Sequence, residues 1–348
     1  MKILVTGGAG FIGSNFIRLT LTSHPSFSVI NFDKLTYAGN LANLASVCAY
    51  PNYQFIKGDI TDELAVSAAL DGCDAIAHFA AESHVDRSIY EPATAVRTNV
   101  LGTQVLLDAA RKANIPRFLY VSTDEVYGDI PTGLLADEGY PLQPSSPYSA
   151  SKAGADMLLH AYARTYGFPA IIVRSSNNYG PFQFPEKFLP LMITNALDDK
   201  SLPIYGDGTQ QRDWVHVEDH CRALLAALEH GKTGEIYNVG AGSFTDNLSL
   251  AQRVLKLMGK PDRLITHIQD RPGHDRRYAV TFAKIEAQLG WRPLVSLEKG
   301  LQQTIDWYVQ NRSWVDGVRS RDYLNYYEKY YENRDSSLRE LSPGKARR

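Results

Sequence analysis

The sequence predicts an α/β protein of the doubly wound type, with a parallel sheet covered by helices on both faces and a smaller carboxyl-terminal lobe that binds substrate. Three observations predict it. Short apolar runs alternate with helix-length segments through the first half, a glycine-rich turn follows the first run and opens a helix, and prolines break the alternation after residue 177.

Taken in order, the runs 3–5, 28–32, 55–56, 75–79, 118–121 and 170–173 read as buried parallel strands, because they are apolar on both faces rather than alternating. Between them, segments 11–21, 62–70, 93–113 and 148–166 have helical length. Pro181, Pro185, Pro190 and Pro203 then interrupt the pattern. The expected organisation is a cofactor domain over residues 1–176, with returning segments near 211–240. A substrate-binding lobe mainly over 177–334 and a flexible tail over 335–348 complete it. Tyr323, Tyr326, Tyr327, Tyr330 and Tyr331 are spaced to line a helix that packs on the domain rather than a ligand site.

With 348 residues the chain has room for a sizeable core. Its 36 Lys and Arg against 38 Asp and Glu leave a net charge of −2, which gives no bulk attraction for nucleic acid or membrane. A phosphate compound must therefore be held by a local site. Cys48, Cys73 and Cys221 are too few and too dispersed for a disulfide framework, and a reducing, cytoplasmic location is expected. The start of the chain lacks the apolar core of a signal peptide, and no stretch has the length of a membrane span.

Gly7, Gly10 and Gly13 follow the first strand at once. Such spacing serves the tight turn, the approach of backbone to a pyrophosphate and the packing of helix on strand, the Rossmann-like arrangement for a dinucleotide. Asp33 ends the next strand, where a carboxylate accepts from ribose hydroxyls and repels a 2′-phosphate, favouring NAD over NADP. Asp59 closes the following strand and either meets the adenine amine or caps the helix beginning near Thr61.

Tyr148 and Lys152 are four residues apart and share one helix face. A neighbouring ammonium and the nicotinamide charge are together expected to lower the phenol's pKa and make it a base near neutral pH. Upstream, the strand 118–121 runs into Thr123, Asp124 and Glu125. Two adjacent carboxylates there suit a reaction that both removes and delivers a proton, the alternative being that they only cap a turn.

These residues resemble the nucleoside-diphosphate-sugar branch of the extended short-chain dehydrogenase/reductase family, and within it the 4,6-dehydratases. The resemblance runs from Met1 to about Arg334, and its most specific stretches are residues 33–40, 80–88, 122–128, 177–181, 184–187, 212–214 and 271–278. It implies an NAD-dependent lyase acting on a nucleoside-diphosphate glucose, above all dTDP-glucose. In the implied cycle Tyr148, assisted by Lys152 and Thr123, takes the 4-hydroxyl proton while hydride passes from carbon 4 to NAD. Glu125 then removes the hydrogen on carbon 5, Asp124 protonates the departing 6-hydroxyl, and hydride returns to carbon 6. The resemblance further assigns Gly7, Gly10, Phe11, Ile12, Gly13, Asp33, Lys34, Thr36, Asp59, Ile60 and Ala80, with Tyr148 and Lys152, to the cofactor. To the substrate it assigns His84, Asn177, Glu186, Lys187, Arg212, Asn247, Arg271, His274 and Tyr278, the two arginines being fork-shaped donors for a diphosphate.

Two departures from the family pattern stand out. His216 occupies the place of an aromatic residue, and residues 240–247 differ from the usual loop. Both are read as part of the nucleotide lobe, so thymine and uracil both stay open as the base. A 4-epimerase or a uronic-acid decarboxylase on the same fold is the rival activity, but an epimerase needs no base at carbon 5. A silent NAD-binding scaffold would be expected to lack Tyr148 or Lys152. His216 and His220 superficially resemble a zinc site, yet no third ligand is evident and no metal is expected. The long helices 93–113 and 148–166 suit a homodimer built on a four-helix bundle.

Overall fold

A computed structural model describes residues 1–319; the tyrosine-rich segment and the tail lie outside the described residues. The six expected strands form as β1 (Lys2–Thr6), β2 (Ser28–Asp33), β3 (Tyr53–Lys57), β4 (Ala75–His78), β5 (Phe118–Thr123) and β6 (Ala170–Ser175). Farther along come β7 (Asn177–Tyr179), β8 (Leu202–Tyr205), β9 (Gln211–His216), β10 (Ile236–Val239), β11 (Phe244–Asp246) and β12 (Ile265–Ile268). The main sheet has seven strands in the order β10-β6-β5-β4-β1-β2-β3, all parallel. Its seventh strand, β10, carries the fully buried polar Asn238 in a four-residue run, so it gave no apolar signal.

Strand order reverses at the β1/β4 boundary, and a crevice opens there at the carboxyl ends of the strands. Phe16, Ile17 and Leu224 pack on one face of the sheet, and Leu106, Leu107 and Leu159 on the other. A third core of Leu189, Trp214, Leu250 and Tyr308 supports the later segments, which include a small β11-β9-β7 sheet and the β12-β8 pair.

Two helices position chemistry. Pro147–Tyr166 starts on Ser146, which exchanges capping bonds with Ser149, and ends at Gly167 in the left-handed region at φ +63°. The segment expected as one helix over 93–113 is divided into Pro92–Val96, a π-helical turn Arg97–Gly102, and Thr103–Lys112. That wide turn carries buried Asn99, whose amide accepts from the Glu82 backbone N–H at 2.8 Å and donates to the Glu82 carbonyl and the Ser151 hydroxyl.

Candidate active site

Gly7 has φ +70°, and a Cβ there would stand 2.6 Å from the Ala80 nitrogen; at Gly13 it would stand 2.4 Å from the Gly7 carbonyl. The turn can pack this closely on the neighbouring backbone only because these positions lack side chains. Asp33 accepts from the Ala9 N–H at 2.9 Å and the Leu35 N–H at 2.7 Å, so its carboxylate is fixed at the rim of the turn. Asp59 pairs with Lys34 at 2.7 Å. It does not cap the following helix: Asp62 does, accepting from the Leu64 and Ala65 N–H groups. These residues line one cleft of about 300 Å³ together with Gly10, Phe11, Ile12, Thr36, Ile60, Thr123, Tyr148 and Lys152. Its shape and its donors at a helix start fit a dinucleotide.

A second cleft of about 160 Å³ is lined by His84, Arg212, Asn247, Arg271, His274 and Tyr278. Ser83, Glu125, Asn177, Glu186 and Lys187 line both clefts, so the two meet at Glu125. Every residue expected at the site thus lines one cleft or the other. The second cleft is also lined by Val85, Asp86, Phe188, Leu191, Pro203, Tyr205 and Trp214, which sequence reasoning missed. Asp86 accepts from the Tyr205 hydroxyl at 2.6 Å and pairs with Arg271 at 3.3 Å.

Several cleft residues are held by the protein's own groups. Arg212 donates to the carbonyls of Gln211 and Asp275 and lies 4.1 Å over the Tyr278 ring, whose hydroxyl donates to Asp275. His84 caps the helix Val85–Tyr90, and His274 bonds Asp270 at 2.6 Å; burial pushes each histidine down to about 4, so both are neutral near pH 7. Glu186 accepts from the Tyr37 hydroxyl at 2.8 Å and from Arg87 at 3.1 Å.

Of the two departures noted in the sequence, His216 does not line the second cleft and residues 240–247 reach it through Asn247 alone. The carboxylate of Asp213 accepts from the backbone of Ala241 and Ser243, which turns loop 240–246 away, and only Asn247 contributes to the lining. His216 caps the helix Val217–His230 and packs 5.3 Å from the Tyr179 ring, while His220 bonds Asn178 at 2.8 Å.

Asp124 and Glu125 open a short 3₁₀ turn whose cap is the Thr123 hydroxyl, so the carboxylates themselves are not the caps. Among the described residues, Asp124 Oδ2 and Glu125 Oε2 are buried without a hydrogen-bond partner. The pair is unequal. Burial and then the neighbouring Glu125 raise Asp124 well above the carboxylate range. Glu125 is raised by burial but faces Arg271, Arg212 and Lys187, which favour its ionised form. One carboxyl thus holds a proton more firmly than the other.

The expected lowering of the Tyr148 pKa counts the nicotinamide charge as well as Lys152. In the protein alone burial, followed by Glu125, pushes its phenol up rather than down. Lys152 is pushed down to about 7 by burial; its ammonium donates to the Val121 carbonyl at 2.7 Å. Burial disfavours the charged form of each group, so a phenolate here needs a further positive charge in the first cleft.

The sequence model of the family described as GDP-mannose 4,6 dehydratase matches residues 4–304. A dTDP-glucose 4,6-dehydratase from Streptomyces niveus is 49% identical over 326 residues, covering 92% of this chain and 97% of that protein. The Escherichia coli K12 dTDP-glucose 4,6-dehydratase 1 is 48% identical, covering 96% of this chain and all of the other. A crystal structure of the Streptomyces venezuelae dTDP-glucose 4,6-dehydratase, with NAD bound, superposes with a TM-score of 0.90 at 50% identity, over 91% of this chain and 100% of that one. By contrast, a Thermotoga maritima UDP-glucose 4-epimerase shares the fold at TM-score 0.83, over 90% of this chain and all of that one, but only 32% of the sequence. Half the sequence shared along nearly the whole length, with a carboxylate pair between two clefts, decides between these neighbours: the chain belongs to the dTDP-glucose 4,6-dehydratase family.

Proposed function

We propose that the protein converts dTDP-glucose to the 4-keto-6-deoxy sugar nucleotide with loss of water, using bound NAD. The observation that carries this reading is the unequal Asp124–Glu125 pair at the meeting point of the two clefts. NAD, when bound, would supply the reversible oxidation that takes hydride from carbon 4 and gives it to carbon 6. The glycine turn, Asp33 and the Lys34–Asp59 pair hold it in the first cleft. Tyr148 takes the 4-hydroxyl proton, with Thr123 and Lys152 beside it. Glu125, whose ionised form Arg271, Arg212 and Lys187 favour against its burial, removes the carbon-5 hydrogen, which the 4-keto group acidifies. Asp124, holding its proton, delivers it to the departing 6-hydroxyl.

The second cleft receives the diphosphate and base. Arg271, Arg212, Lys187 and Asn247 line it as donors. In this reading residues 1–176 with the segments near 211–240 form the cofactor domain and most of 177–334 the substrate lobe. Incubation with dTDP-glucose and no added reductant is expected to give a product lighter by one water. A galactose-configured product of unchanged mass sinks the reading. UDP-glucose run alongside is expected to turn over more slowly, and equal rates would contradict the thymine assignment.

The protein is also read as a homodimer through a four-helix bundle. Ala150, Met157 and Ala161 on helix 147–166 are exposed, as are Ala93, Val96 and Leu101 on the helix beside it. Exposed Val96, Leu101 and Met157 are each about half accessible, which favours coverage by a second copy. Light scattering should return twice the chain mass, and Met157→Glu should return the monomer. A cytoplasmic location belongs to the same reading, supported by three free cysteines; no described helix is long and apolar enough to cross a membrane.

A further inference from the structure

Behind Tyr148 and Lys152 lies an ion pair that the proton-transfer scheme does not use. Asp156 follows Lys152 by one helical turn, as Lys152 follows Tyr148, so the three lie along one side of the helix Pro147–Tyr166. Asp156 is 0% exposed and accepts from Arg174 Nε at 2.7 Å, Arg174 being 2% exposed. From β6, Arg174 also donates to the Tyr127 hydroxyl at 2.9 Å, and that hydroxyl donates to Asn238 on β10 at 2.7 Å. Tyr127 is the last residue of the turn that begins with Asp124 and Glu125. One guanidinium thereby ties the helix carrying Tyr148 and Lys152 to the turn carrying both carboxylates.

The charges around Lys152 are few. His78 on β4 is pushed down to about 3 by burial and is neutral, while burial raises the Tyr120 phenol on β5, whose ring lies 4.1 Å from the ammonium. Tyr148 sits on the same helix, with Asp124 and Glu125 acting on it. Asp156 is the carboxylate that opposes the burial of Lys152, whereas the charge of Arg174 acts on Asp156. A buried ion pair is poor value as a stabiliser, because desolvating two ions offsets most of their attraction. Its place beneath the reacting residues suggests a different use.

We propose that Asp156, anchored by Arg174, is a positioning residue that charge-balances the Lys152 ammonium beside Tyr148, and that Arg174 seats the Asp124–Glu125 turn on the same anchor through Tyr127. The inference rests on the proton-handling roles of Tyr148 and Lys152 given above. Lys152 acts while protonated, so turnover falls as pH rises through its pKa. Removing the carboxylate lowers that pKa and moves the alkaline limb of the kcat profile to lower pH.

The test begins with the wild-type profile on dTDP-glucose, which stands or falls with the proposed function alone. Asp156→Asn, close in shape but uncharged, is then expected to shift the alkaline limb down by about one pH unit. That is about a tenfold loss of kcat on the alkaline side, with KM unchanged. Asp156→Glu should return the limb towards the wild-type position. Tyr127→Phe should leave the limb in place and slow exchange at carbon 5. A folded Asp156→Asn enzyme whose limb coincides with wild type overturns the proposal. If that variant does not fold, Asp156→Asn/Arg174→Met removes both buried charges together and is expected to show the same downward shift. An unmoved limb in the double variant overturns the proposal equally.

Discussion

Replacing Glu125 with Gln yields an enzyme that still oxidises carbon 4 but no longer exchanges the carbon-5 hydrogen with solvent deuterium. The amide keeps the size of the carboxylate and cannot accept the proton. Loss of a positioned general base costs about 10² to 10⁴ in rate, and the whole of that loss should fall on the elimination. Wild-type Glu125 must be ionised, so turnover should decline as pH falls through its pKa, which burial holds above the ordinary glutamate value. Asp124 must keep its proton, and its pKa lies higher still in direction because it is buried beside Glu125 and the cations face Glu125 more than it. NMR of the product formed in deuterium oxide, beside a measurement of carbon-4 oxidation, separates the two steps. Equal loss of both contradicts the assignment.

Tyr148→Phe should abolish oxidation and elimination together, because the 4-keto group that acidifies carbon 5 never forms. The ring is 8% exposed and remains in place, so folding should be little affected. An effect of about 10² to 10⁴ is expected on the first chemical step. Fluorescence or circular dichroism confirms the fold, and single-turnover measurement of carbon-4 oxidation reads the step. Unimpaired oxidation in this variant would mean that another group, with Thr123 the nearest hydroxyl, takes the proton. The opposite pattern to Glu125→Gln is thus expected in the same pair of measurements, which makes the two variants tests of one another.

Much of this site was legible before folding because its chemistry is local. The glycine turn, the strand ends carrying Asp33 and Thr123, and the i, i+4 relation of Tyr148 and Lys152 depend on neighbours along the chain. What sequence reading missed is set by distance in sequence. Asp86, Tyr205 and Arg271 join from positions 119 and 185 residues apart in their contacts, and no local pattern reports such a meeting. The strand β10 escaped notice because buried Asn238 breaks its apolar run, and it is there to meet Tyr127. The π-helical turn escaped because 93–113 has an ordinary helical pattern, while Asn99 bonds across to Glu82 and Ser151.

The opposed readings of Asp59 and of the Asp124–Glu125 pair show where sequence gives a choice and tertiary structure makes it. A carboxylate after a strand is a cap or a reacting group by composition alone; here Asp62 and Thr123 do the capping and leave the others to the clefts. The phenol of Tyr148 shows the same limit: the charges expected beside it argue for a lowered pKa, and in the protein alone burial raises it. By itself the sequence determined the parallel sheet and the glycine turn and pointed to the side chains proposed to react, because apolar period, glycine spacing and helical offset act within a few residues. The tertiary structure alone decided which carboxyl is raised further, which arginines face Glu125 and which carboxylate opposes the burial of Lys152. Those depend on desolvation and on charges carried from distant parts of the chain, and neither exists until the chain has folded.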